Sequence, residues 1–257
     1  MTHFRRACLV MAVLTVAACA SGGGTQSQAN KSRENAARYN LQLGVTYLQQ
    51  GNLALAKDKL DRSLKQNPRD PNLYSARALL AERLGHLRDA EKAHASAMRL
   101  APNDPEINNN YAVFLCRTQR ADEGVKRFLA SAQNRLYSTP WVAYTNAAVC
   151  LRDAKSTSPQ IEQYLRQALQ LRPNHAEAEL QLGSWLLAQN RSADAASEVQ
   201  RFLGSFRPTP ELLYLGVEIA RRQQDKISEI KYSRQLRLEF PDSAQARALA
   251  TSPGKGG

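Results

Sequence analysis

Apolar residues along this chain come as paired short stripes, each spaced to lie on one face of a helix. In the first pair, Leu41, Gly44, Tyr47 and Leu48 span two helical turns, and Gly51-Asn52 interrupts them. Leu53, Ala56, Leu60 and Leu64 follow at i, i+3, i+7 and i+11, so the second stripe folds back on the first. Asn67-Pro68 closes the unit, because proline has no amide donor and disfavours helix at the residue before it. The plan recurs with Ala78, Gly85, Ala90, Ala97 and Pro102, and again with Leu182-Gly183, Trp185, Leu186, Ala195, Phe202 and Pro208. Units three and four are looser in their second halves, and the sixth has Ser228 where alanine is expected.

The small residue on which each unit pivots sets the period: Gly44, Ala78, Ala112, Ala147, Gly183 and Gly216, in steps of 34, 34, 35, 36 and 33. The prolines Pro68, Pro102, Pro173, Pro208 and Pro241 keep register with them. Two markers at this period predict an all-α tetratricopeptide-repeat solenoid, about six helix-turn-helix repeats forming a right-handed superhelix. The repeat domain is placed at 35–250, with units at about 37–70, 71–104, 105–139, 140–175, 176–208 and 209–242. Such a stack offers surfaces for holding another chain, and the expectation is a binding protein, not an enzyme. The scattered serines around Asp153 to Ser156 give no nucleophile–base arrangement, and no paired carboxylates sit at a convincing cleft.

The N-terminus carries an address. Arg5 and Arg6 precede a weakly polar to apolar run from Ala7 to Ala18, too short for a permanent span and fitting a signal peptide at 1–18. Val16-Ala17-Ala18-Cys19 resembles the lipobox of bacterial lipoproteins, which implies acylation of Cys19 and a stable lipid anchor. Ala20 in place of aspartate favours the outer membrane, and the expected location is its periplasmic face. Residues 19–34 follow as lipidated cysteine and flexible tether, with Ser21 to Gln28 rich in Gly, Ser, Thr and Gln and helix beginning near Asn35. Residues 251–257 read as a disordered tail.

The chain has 35 Lys and Arg against 23 Asp and Glu, a formal +12 that falls to +10 when Arg5 and Arg6 leave with the signal. The excess is spread over the repeats, no nucleic-acid-binding motif accompanies it, and export argues against such a partner. No small-molecule substrate or cofactor is expected. His86, His94 and His175 show no ligand spacing around a cysteine, and no metal site is expected.

Removal of Cys8 and acylation of Cys19 leave Cys116 and Cys150, four and three positions after the pivots of adjacent repeats. An oxidising periplasm favours a disulfide between them; the alternative is two buried thiols acting as small hydrophobes. Around them run Asn108-Asn109-Asn110-Tyr111-Ala112-Val113-Phe114-Leu115-Cys116, then Asn134-Arg135-Leu136-Tyr137-Ser138-Thr139-Pro140, then Asn146-Ala147-Ala148-Val149-Cys150. These blocks resemble the type IV pilus biogenesis/stability lipoproteins of the PilW/PilF type, with Ala148 where that family usually has glycine and Arg135 where proline is common.

The resemblance implies a pilotin that binds the type IV pilus secretin and promotes its outer-membrane localisation and multimerisation, hence pilus biogenesis and twitching motility. A tetratricopeptide lipoprotein adaptor for envelope hydrolases or outer-membrane protein assembly is the alternative. From the repeat register the protein-binding groove is assigned Leu41, Val45, Leu48, Leu79, Arg83, Asn109, Val113, Arg117, Tyr144 and Arg152. Arg83, Arg117 and Arg152 hold one position in successive repeats, either as a basic ladder for an acidic segment or as separately solvated side chains. Tyr111, Phe114, Phe128 and Trp185 are assigned to the core.

Overall fold

The computed structural model describes residues 23–251, which form thirteen helices and no strand. They alternate as first and second helices of six repeats: α1 (Gly23–Gln49) with α2 (Leu53–Gln66), α3 (Pro71–Arg83) with α4 (Leu87–Leu100), and α5 (Pro105–Arg117) with α6 (Ala121–Ala132). The pairs α7 (Pro140–Asp153) with α8 (Gln160–Leu171), α9 (Ala176–Ala188) with α10 (Ser192–Ser205) and α11 (Pro210–Gln223) with α12 (Lys226–Glu239) follow, and α13 (Ala244–Thr251) closes the stack.

Local chemistry starts and stops each helix. Proline stands at the start of α3, α5, α7 and α11, where its missing N–H is no loss. Asp70, Asp104, Thr209 and Asp225 accept amide hydrogens of the first turns that follow them, satisfying donors with no intrahelical partner. The turn inside every repeat passes through a left-handed residue: Gly51, Gly85, Gln119, Lys155, Asn190 and Gln224, all with φ between 58° and 76°. Glycine takes that conformation freely, and the other residue types pay for it. This third periodic marker is hidden from sequence because only two of its six residues are glycine.

Each first helix packs on its own second helix, each second helix on the next first helix, and successive first helices touch one another. Successive second helices stand farther apart and meet through long side chains, as where Arg166 of α8 reaches Glu198 of α10 at 2.7 Å. A stack whose helices approach more closely along one side curves, with the first helices on the inner surface and the second helices on the outer. Close approach at the pivots makes this possible: a Cβ on Gly44 would lie 2.6 Å from Leu60 Cδ2, and one on Gly216 would lie 2.9 Å from Tyr232 Cδ2. The buried core runs along the stack, with Leu60 and Leu73 early, Phe128, Leu165, Leu182 and Trp185 in the middle, and Leu213, Leu236 and Leu249 at the end. Tyr111, Phe114, Phe128 and Trp185 are buried, as their spacing indicated.

Two boundaries differ from the sequence expectation. Helix α1 begins at Gly23, so the expected flexible tether through residue 34 is helical over its described part. No proline interrupts 23–49, and the exposed extension is fastened where Arg33 donates to the Lys65 carbonyl at 2.7 Å and Asn40 to Gln66 Oε1 at 2.8 Å. At the other end, α13 lies beyond the sixth unit and buries Ala246 and Leu249 against α11 and α12, covering the face a seventh repeat would cover. The signal peptide, Cys19 and residues 252–257 lie outside the described residues.

Candidate functional site

The inner surface opens into a groove of about 390 Å³ across the first three repeats. Helix α1 supplies Leu41 and Val45, α3 supplies Ser75, Leu79 and Glu82, and α5 supplies Asn110, Val113 and Arg117. Leu41, Val45, Leu79 and Val113 make one aliphatic wall, with Val45, Leu79 and Val113 each one residue after its pivot. One step past the pivot is 100° round the helix, which carries the side chain out of the contact with the second helix. Asn110 donates to Ser75 Oγ at 3.1 Å, bridging α5 to α3 along the rim.

The far end of the groove is polar. Glu82, almost buried, receives Arg117 Nη1 on one oxygen at 3.0 Å and faces His94 Nε2 with the other at 3.2 Å. His94 rises from α4, is 2 % exposed, and stacks on Tyr111 with ring centroids 5.1 Å apart. Its Nδ1 has no hydrogen-bond partner among the described residues. Sequence reasoning weighed His94 only as a metal ligand and missed it here. The signal was present: residues 60, 94 and 128 are one period apart, and the flanking two are Leu60 and Phe128. A histidine in that core register places a polar group under the groove, against Glu82.

The structure brings Leu41, Val45, Leu79, Val113 and Arg117 together and moves the other assigned residues elsewhere. Leu48 is 1 % exposed and packs with Ala56, Leu60 and Leu73, because four residues past Gly44 returns it to the side facing α2. Asn109 is buried where successive first helices meet, 3.4 Å from Asn146 of α7. Tyr144 is half-buried, its ring 6.3 Å from Tyr164 on its own repeat's second helix. Arg83 is exposed and Arg152 is engaged by Asp153 at 3.0 Å and by Gln181. With Arg117 given to Glu82, the three arginines form no free ladder.

Cys116 on α5 and Cys150 on α7 are joined as a disulfide with Cα atoms 5.5 Å apart, tying the first helices of repeats three and four. Gly124 of α6 sits beneath the bridge, where a Cβ would come 2.5 Å from Cys116 Sγ. Alanine fills the same register in α2, α4 and α10, at Ala56, Ala90 and Ala195. Glycine at 124 makes room for the sulfur.

Curved stacking and the repeat period define a helical-repeat protein with an inner groove. Residues 41–105 and 161–225 match the tetratricopeptide repeat family, and the chain belongs to it. It is similar to the type IV pilus assembly protein PilF of Pseudomonas aeruginosa, with 25 % identity over 242 residues covering 93 % of this chain and 96 % of that protein. An uncharacterized protein of Haemophilus influenzae is 26 % identical over 131 residues, 51 % of this chain and 73 % of its own. Among solved structures, Pseudomonas aeruginosa PilF superposes with a TM-score of 0.68 at 23 % identity, covering 86 % of this chain and all of that one. PilW, described as a widely conserved type IV pilus biogenesis factor, gives 0.68 at 24 % identity over 83 % of this chain and 98 % of its own. These superpositions show the fold.

Proposed function

We propose that this chain is a type IV pilus biogenesis factor: a lipoprotein anchored through Cys19 on the periplasmic face of the outer membrane, binding the pilus secretin and promoting its localisation and multimerisation there. The end-to-end likeness to PilF carries this reading, since it spans 96 % of that protein and not the repeats alone. The groove supports it by offering the means. An aliphatic wall of Leu41, Val45, Leu79 and Val113 takes an apolar strip of a partner segment, and the Glu82–Arg117 pair closes its polar end. No covalent step is required, and the role is that of a scaffold. Without the secretin placed, pilus assembly and twitching motility fail.

The test pairs binding with fold. Leu41→Glu, Val45→Glu and Leu79→Glu each put a charge against an apolar partner with no counter-ion, and should weaken secretin co-purification at least about tenfold while circular dichroism stays unchanged. Cys19→Ala should release the protein from the membrane fraction and leave secretin multimers scarce. Three well-folded groove variants that still bring down the secretin in normal yield would place recognition elsewhere. Co-purification of an envelope hydrolase in its stead would replace the reading with an adaptor role.

A further inference from the structure

The outer surface of the last repeat is unlike that of the others. The second helices can be aligned on the small residue beneath each pivot: Ala56, Ala90, Gly124, Ala195 and, in α12, Ser228. One position earlier stand Leu55, Asp89, Glu123, Asp194 and Ile227; two positions later stand Asp58, Lys92, Lys126, Ser197 and Ile230. Where α2, α4, α6 and α10 carry mostly charge or hydroxyl at these positions, α12 carries isoleucine twice. Ile227 is 83 % exposed, Ile230 66 % and Leu238, further along the same helix, 70 %. Isolated exposed aliphatics are ordinary, but three on one face of one helix form a patch.

The charges around them have one sign. At 100° per residue, Ile227, Ile230, Lys231, Arg234, Arg237 and Leu238 share a sector about 120° wide, and no carboxylate falls within it. Glu229 points away and is held by Arg221 at 2.7 Å and Lys226 at 3.0 Å. On the opposite side Tyr232 and Leu236 are buried with Leu213 and Val217. The free face is therefore a convex ridge on the outer curve, with Ile227, Ile230 and Leu238 along it, Arg234 set among them, and Lys231 and Arg237 at its two flanks. A peptide seeks a concavity, and the groove that provides one lies on the inner surface. A bilayer receives a ridge: aliphatic tips enter the acyl boundary, and lysine and arginine stems lie along the apolar surface with their heads at the phosphates.

We propose that the outer face of α12 docks on an anionic phospholipid surface through Ile227, Ile230 and Leu238, with Lys231, Arg234 and Arg237 meeting the headgroup phosphates. This contact is separate from acylation at Cys19 and from any role in pilus assembly, and it depends on salt as an electrostatic attraction must.

A chain beginning at Gly23 keeps every contact described above and removes both the acyl site and the apolar leader. Mixed with vesicles of phosphatidylglycerol in phosphatidylcholine, it should sediment with them, remain free with phosphatidylcholine alone, and be released by raised salt. Ile227→Glu/Ile230→Glu/Leu238→Glu should lower partitioning about tenfold or more, and Lys231→Glu/Arg234→Glu should do likewise. Lys92→Glu, on the corresponding face of α4, should change little. Circular dichroism and thermal unfolding of each variant establish that the fold is kept. Equal partitioning by the well-folded triple variant, or no association of the parent chain with either vesicle, would overturn the proposal. A dimer lost in the triple variant, without vesicle binding, would overturn it too and place a second copy of the chain on this face.

Discussion

Glu179 on α9 has no exposed surface, and among the described residues only one of its oxygens has a partner, Arg201 Nη2 at 3.1 Å. Burial pushes its carboxyl up to about 7; Arg201 and Arg166 pull the other way without prevailing, and Glu198 adds to the rise. A carboxyl that binds its proton more tightly in the folded chain stabilises the fold fully below its unfolded value, near pH 4, and loses that contribution as pH rises through about 7. The loss between those limits is roughly 3 kcal/mol. Glu179→Gln should flatten the dependence of thermal stability on pH between 5 and 8, and an unaltered slope in the variant would assign that slope to other groups. At this scale the sequence was read well where periodicity speaks and poorly where depth decides. The aliphatic wall of Leu41, Val45 and Leu79 followed from register, but Leu48 and Asn109 are buried by how tightly neighbouring helices approach. A single repeat does not reveal that distance.

Among elements, the turn inside each repeat shows what the period costs where composition drifts. Gln224 closes α11 in the left-handed region at φ 60°, the position Gly51 and Gly85 hold at 76° in the first two repeats. Left-handed backbone costs a residue with a Cβ roughly 1 kcal/mol, part of which glycine returns through its freer unfolded chain. Gln224→Gly should therefore raise the urea midpoint by the equivalent of about 0.5 kcal/mol with the slope unchanged. A lowered midpoint would mean that the glutamine side chain makes contacts worth more than the strain. The twelve helices of the six repeats and their order are legible from the stripes and prolines. The early start of α1 was not, because Gly23 and Gly24 weaken helix propensity locally while fastening comes from Arg33 and Asn40 reaching α2, contacts distant in sequence. Helix α13 was also hidden, since Ala246 and Leu249 make too short a stripe to stand out.

For the whole molecule, stability is a sum of neighbouring contacts, since among the described residues no helix pair packs beyond adjacent repeats. The Cys116–Cys150 bridge is the one covalent tie between repeats among the described residues, closing a loop of sequence separation 34. By chain entropy it contributes roughly 3–4 kcal/mol. Cys116→Ser/Cys150→Ser should lower stability by that order while keeping helical content, and should split unfolding so that the repeats on either side melt apart. Unchanged cooperativity in the double variant would show that packing of α6 on α7 suffices.

The bridge has a mechanical meaning as well. Repeats stacked in a row share any pull on the ends in series, and the weakest junction parts first. Because α5 is bonded to α7, the segment between them cannot be drawn out, and the pulled chain is shorter by roughly 110 Å of extended backbone. Load passing along the chain takes the covalent bridge and bypasses α6, leaving the middle of the solenoid as a knot that survives while the terminal repeats peel and re-dock. Such a scaffold yields at its edges and keeps its centre.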